Sequence, residues 1–228
     1  MKKHILITLF AFSVAHASAQ STTVVTTPAA TPVAINPAAQ TYEKFNIGLQ
    51  ATPMIKWINT DSKNVKSDGA KIGFAYGLVT EIYFAPKYAF YTGIEFAYRG
   101  GNILALDSSK QNFIKKDVHL QYLEIPLCLQ MHTKEKDHLS FFARFGTSAC
   151  FSIKAFYRDE NDEKVSINDQ VAFYNMAFKI GGGAQYSIDG GSKLYAGLIY
   201  NNGIMNVFET SENKSFNMSV DLNLGIYF

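Results

Sequence analysis

The chain has 228 residues, 47% of them hydrophobic and 18% charged, with a formal net charge of +2. So small a charge, with no basic patch among the aromatics, argues against a nucleic-acid partner. No run of about 18 apolar residues follows the N-terminus, which excludes a transmembrane helix, and the length suits one domain with a tail.

The first predicted element is an export leader over residues 1–19. Lys2 and Lys3 are basic, Ile5 to Val14 is apolar, and Ala17-Ser18-Ala19 supplies small residues for cutting before Gln20. The apolar core is too short to anchor, and no cysteine follows the cut, so a lipoprotein is not expected. Residues 20–42 are rich in Thr, Ala and Pro ("STTVVTTPAATPVAINPAAQT") and read as a flexible periplasmic tether. Such a segment buries too little to offset its ordering entropy.

Residues 43–228 read as strand after strand. Eight candidates fall at 44–58, 71–85, 88–100, 118–132, 138–155, 171–188, 193–205 and 215–228. At about 13–18 residues they exceed the ~5–6 of soluble strands and suit a bilayer crossing of ~9–11 plus overhang. Their connections alternate in length. "TDSKNVKSDGA", "GNILALDSSKQNFIKKD", "YRDENDEKVSIND" and "NVFETSEN" are long, whereas "APK", "TKEKD" and "DGGS" are short. Transmembrane barrels have this asymmetry, with short periplasmic turns and longer outer loops. An even strand count then puts both termini in the periplasm.

Within the strands, charge follows parity. Phe45, Ile47, Leu49 and Ile55 alternate with Asn46, Gln50 and Lys56; Phe74, Leu78 and Ile82 oppose Glu81; Ile94, Phe96 and Tyr98 oppose Glu95 and Arg99. Leu123, Ile125 and Leu127 oppose Glu124; Phe141, Phe145 and Ile153 oppose Arg144 and Lys154; Phe178 and Ile180 oppose Lys179. In the seventh strand Leu194, Ala196, Leu198 and Tyr200 are expected outside, leaving Tyr195 and Ile199 inside. Lys or Arg against lipid costs ~2–4 kcal/mol at the midplane, so lipid enforces such sorting. His119 falls on the apolar parity near the outer rim, where a polar ring is tolerated. The final "MSVDLNLGIYF" alternates down to Phe228. Its apolar face is expected on lipid and its edges against the first strand, closing the sheet. The predicted fold class is therefore all-β: an eight-stranded antiparallel up-and-down transmembrane barrel in the outer membrane.

"VHLQYLEIPLCLQ" at 118–130, with "KIGGGAQY", "LYAGLIYNNGI" and the aromatic last strand, resembles the PorT-like outer-membrane β-barrel family of Gram-negative bacteria. The resemblance spans roughly Lys44 to Phe228. It implies an eight-stranded barrel, and for the type member a part in a type IX protein secretion system. Most relatives have no assigned activity. The terminal Phe228 resembles the signal by which the barrel-insertion machinery selects its clients.

A narrow barrel fills its interior with side chains. Glu81, Glu95, Glu124, Arg99, Arg144 and Lys179 share the inward parity and are expected to form a mutually neutralising ion network. Pairing about "TKEKD" is expected to bring Arg144 to Glu124, pairing about the third connection to bring Glu95 to Glu124, and Lys179 to reach across. The same register sets Cys150 opposite Leu120, so Cys128 and Cys150 are expected to be free, buried thiols. Pro126 predicts a bulge or missing ladder bond. His132 and His138 flank one turn without a third ligand, and His119 lies on the opposite face from Ser148 and Ser152, so neither a metal site nor a triad is expected. The acidic loop lacks calcium-loop spacing. The expectation is a non-enzymatic, cofactor-free, closed barrel with a structural or accessory role in secretion or envelope assembly. Its expected partners are outer-membrane lipid, the insertion machinery and secretion components. An outer-loop adhesion barrel and a lipid-modifying enzyme are the alternatives, and a soluble lipocalin-like barrel conflicts with the inward charges.

Overall fold

The computed structural model describes residues 45–61, 64–107, 112–159, 162–188, 191–209 and 214–228. The predicted leader (1–19) and tether (20–42) lie outside the described residues. The strands are β1 (Phe45–Asp61), β2 (Val65–Ser67), β3 (Lys71–Ala85), β4 (Tyr88–Asp107), β5 (Asn112–His132), β6 (Leu139–Arg158), β7 (Lys164–Ser166), β8 (Tyr174–Ser187), β9 (Lys193–Gly203) and β10 (Lys214–Tyr227). One 3-10 turn covers Asn168–Gln170. No helix among the described residues is long and apolar enough to cross a membrane.

Eight strands form the wall, each antiparallel to its chain neighbour, in the ring β1-β3-β4-β5-β6-β8-β9-β10. The ring closes where β1 pairs β10, from Gly48↔Tyr227 to Asp61↔Lys214. Phe228 N donates to Ile47 O at 2.8 Å and leaves its ring outside, 65% exposed. Closure removes the open edge that would otherwise present unpaired backbone groups.

The outer face is predominantly apolar, with Leu49, Ile72, Phe74, Leu78, Ile94, Phe145, Ile180, Leu198 and Leu222 all exposed. In β9, Leu194, Leu198 and Tyr200 face out and Tyr195 and Ile199 are buried, as the parity predicts. Aromatic rings collar both ends. Tyr76 stacks on Phe96 at 5.8 Å near the long-loop end, and Phe84 on Tyr88 at 6.2 Å near the short-turn end.

Three local expectations are corrected. First, β4 and β5 continue to Asp107 and from Asn112, so most of the predicted third loop is a protruding hairpin. It is strand because Ile103 and Val118 bury their side chains on one face. Second, the register puts Cys150 opposite Glu124 and Arg144 opposite Gln130, not Cys150 opposite Leu120. Residues 133–138 do not all pair across the turn, so the register cannot be counted from the turn's ends. At Pro126 the expected missing ladder bonds are found rather than the alternative bulge: the β4–β5 ladder lapses between Tyr91↔Cys128 and Glu95↔Glu124 with its register unchanged. Third, the β5–β6 bulge lies at Gln121/Tyr122, with Ile153 as the extra residue, and it turns Lys154 outward.

Both cysteines are buried and free. Cys128 stands opposite Gly146 and Cys150 opposite Glu124, too far apart along the wall for a bridge. A thiol reagent is therefore expected to label neither in the folded barrel and both after denaturation. Labelling of the folded protein would show that the lumen opens.

Candidate functional site

The inward parity of eight strands converges on a sealed, charged lumen. Four buried acids, Glu81, Glu95, Glu124 and Asp221, face four buried bases, Lys56, Arg99, Arg144 and Lys179. Equal numbers matter because each uncompensated buried charge costs several kcal/mol.

Glu124 on β5 is the centre. Arg99, one strand over on β4, grips it with two bonds: Nε to Oε1, and Nη2 to Oε2 at 2.9 Å. Lys179 on β8 reaches across to Oε2 at 3.1 Å and to Glu95 Oε2 at 3.8 Å. Arg99 also approaches Asp221 at 3.5 Å and donates to Ser219 Oγ at 2.7 Å, tying β4 to β10 across the barrel. Lys56 has another solution. Its Nζ donates to the carbonyls of Tyr98 at 3.1 Å and Arg99 at 2.8 Å. Its stem passes over Gly73, where a Cβ would lie 2.7 Å from Lys56 Cδ, so only glycine leaves the path open.

A polar relay continues toward the short turns. Gln50 Nε2 donates to Glu95 Oε1 at 3.1 Å, and Gln50 Oε1 accepts from Tyr91 and Tyr195 at 2.8 and 2.7 Å. Arg144 lies over the Tyr91 ring at 3.3 Å and donates to Gln130 Oε1 at 2.7 Å. Gln130 passes that polarisation on by donating to Glu81, which also accepts from Gln185 at 2.8 Å, Tyr83 at 2.8 Å and Asn46 at 3.3 Å.

The expected pairing of Arg144 with Glu124 is thus corrected: Arg144 serves the Glu81 end through Gln130, and Arg99 takes Glu124. Pairing of Glu95 with Glu124 and the reach of Lys179 stand in the structure as the pattern implied. Sequence reasoning left Lys56 and Asp221 out of the network, although both lie on the polar parity. Replacing Arg144 by alanine is expected to cost about 3 kcal/mol, from the lost cation–π contact and an orphaned Gln130 acceptor. Urea unfolding in detergent measures it.

Two ends bound this network. Beyond Arg99, Ile58, Ile103, Val118, Leu120, Ala155 and Val207 form an apolar cluster over the mouth. The void between Arg99, Tyr122 and Asn217 holds about 10 Å³, no more than about one water. At the short-turn end a vestibule of about 530 Å³ opens, lined by Tyr83, His132, Gln185 and Lys193 among others. His132 bonds Tyr83 and Gln130 inside the barrel, while His138 lies against Tyr186 outside, so the two do not converge. Among the described residues no three His, Cys, Asp or Glu side chains are placed to hold a metal.

An antiparallel ring of eight strands, oily outside and ionic within, defines a membrane-spanning β-barrel. The chain belongs to the outer membrane protein β-barrel domain family, whose model matches residues 36–228. No curated protein matches it in sequence. Similar solved structures include Neisserial surface protein A, at 12% identity and TM-score 0.46, covering 80% of this chain and 97% of that one. The attachment invasion locus protein Ail of Yersinia pestis has 13% identity and TM-score 0.43, covering 82% and 100%. The outer membrane protease OmpT of Escherichia coli has 10% identity and TM-score 0.44, covering 81% and 96%. At such values these structures carry no inference about activity.

Proposed function

We propose that this outer-membrane barrel is a closed envelope component rather than a pore, with an accessory role in protein secretion or envelope assembly. The observation that carries this reading is the doubly blocked lumen: a balanced ion network in the middle and an apolar seal at the long-loop mouth. A channel needs a continuous polar path, and this interior leaves room for about one water beside Arg99. The resemblance to PorT-like barrels points the accessory role toward secretion. Both termini then face the periplasm and the β4–β5 hairpin faces outward, in the family's usual arrangement of short turns inside and long loops outside.

Purified protein in a planar bilayer is expected to show no unitary conductance steps, and Arg144→Ala is expected to lose stability without gaining conductance. Steps from the wild type would overturn the closed reading. A deletion strain is expected to lose secreted proteins from the medium, and unchanged secretion and envelope integrity would remove the accessory role. Orientation is read separately. Ser166→Cys, exposed on β7, is expected to react with an impermeant thiol reagent on intact cells.

One observation favours a second reading, adhesion through the outer loops. The protruding hairpin exposes Leu106 and Phe113, each 39%. Replacing Leu106 and Phe113 by serine would abolish binding to a surface in that case and leave secretion intact.

A further inference from the structure

The charge sorting of the wall fails in one place. Below the Ile153 bulge, Ser148 and Cys150 are buried in the lumen; above it Ala155 is buried and Lys154 is exposed. A one-residue insertion flips every following side chain to the other face. Lys154 therefore stands on the outer wall, three residues past Phe151. That ring packs on Tyr174 at 5.5 Å and Phe173 at 5.9 Å. This is the aromatic collar at the long-loop end, the depth at which lipid headgroups begin.

Its neighbours on that face are also cations. β7 pairs Lys164 with Arg158, and Lys164 Nζ lies 4.1 Å above the Phe156 ring. Phe156 in turn stacks on His119 at 4.8 Å. The Lys154 charge, some loss of hydration and the Arg158 charge all push the Lys164 ammonium pKa down. Arg158 is matched by Asp162 at 2.9 Å, and His119 by Asp117 at 3.0 Å. Among the described residues no carboxylate forms an ion pair with Lys154 or Lys164. Two ammonium groups crowded together without a carboxylate repel each other, and an anion placed between them reverses the sign. Beneath them Ile153 and Phe173 are exposed, at 51% and 68%, and offer an apolar track for an acyl chain.

We propose that Lys154 and Lys164, with Phe156 beside them, bind the phosphate of a membrane lipid headgroup in the outer leaflet. Lysines hold phosphate as point charges, and the exposed hydrocarbon just below selects an anion that carries a lipid tail. The inference rests on the orientation proposed above, which places β7 at the outer surface.

The test uses full-length protein in phosphatidylcholine vesicles doped with lipid A, a phosphorylated glycolipid, or with dephosphorylated lipid A. Retained lipid is counted by native mass spectrometry. The wild type is expected to retain lipid A, to lose it when dephosphorylated, and to keep it against millimolar inorganic phosphate. Lys154→Gln with Lys164→Gln is expected to bind about twenty-five-fold more weakly, two cations at an anionic surface being worth roughly fivefold each. The Lys154→Arg, Lys164→Arg pair is expected to retain it. Both variants change only exposed side chains, and unboiled gel mobility verifies their folding. Equal retention by the glutamine variant, or of dephosphorylated lipid, overturns the site; displacement by free phosphate overturns its assignment to lipid. If Ser166→Cys fails to label from outside, the orientation falls. If it labels and the glutamine variant still binds, only the lipid site falls.

Discussion

Replacing Glu124 by alanine is expected to lower the unfolding free energy by roughly 3–5 kcal/mol, the usual cost of removing one partner from a buried charge set. Glu124 is wholly buried and takes bonds from Arg99 and Lys179. Without it Arg99 keeps Asp221 at 3.5 Å and Lys179 keeps Glu95 at 3.8 Å, so two cations remain on distant, poorer partners and the lumen carries an excess positive charge. The measurement is urea unfolding in detergent, followed by the shift between unboiled and boiled mobility. The companion is Glu124→Leu with Arg99→Met. It restores equal numbers of acids and bases, so it should be less destabilised than the sum of the two single changes. If the single losses simply add, charge balance is not what holds the centre of the barrel.

The second large effect is expected at Gly100. Its φ is +109°, a conformation that residues with a Cβ rarely adopt. A Cβ there would also stand 2.1 Å from Val118 O, which is backbone and cannot move aside. Next to it, Gly101 brings β4 against Trp57 and Ile58, where a Cβ would lie 3.0 Å from Ile58 N. The pair lets the β4–β5 hairpin bend over the mouth and place Ile103 and Val118 on Ile58. Gly100→Val is expected to cost about 3 kcal/mol or more, combining backbone strain with the loss of that seal. Protease added to intact cells should then cut the hairpin between Gly101 and Val118 before the barrel unfolds. An uncut hairpin with unchanged unfolding would show that the bend does not depend on glycine.

The contrast between these two positions shows what a linear reading can reach. Glu124 was legible because period-two alternation puts it opposite Leu123 and Ile125, and a membrane punishes any error in that sorting. Its partner was not legible. Choosing between Arg99 and Arg144 needs a register good to one residue, and the turn at 133–138 does not reveal how many of its residues pair. Gly100 carried no signal, since a Gly-Gly pair near a strand end looks like a loop. Lys154 was misplaced for a related reason: a bulge changes parity without changing composition, and nothing in "FSIKAFYR" marks Ile153 as the extra residue.

The barrel follows from the amino-acid pattern alone. Long alternating segments, short and long connections in turn, and a final strand with one oily face leave few other ways to satisfy every backbone group in lipid. The inward direction of Glu81, Glu95, Glu124, Arg99, Arg144 and Lys179 follows from it too, because side-chain direction is local to a strand that carries no bulge. Which of those charges meet, the service of Arg144 to Glu81 through Gln130, the hairpin's seal over the mouth and the place of Lys154 on the outer wall all come from the packing of the strands. These depend on register, bulges and bends, set by contacts between strands far apart in the chain, where a slip of one residue changes every partner.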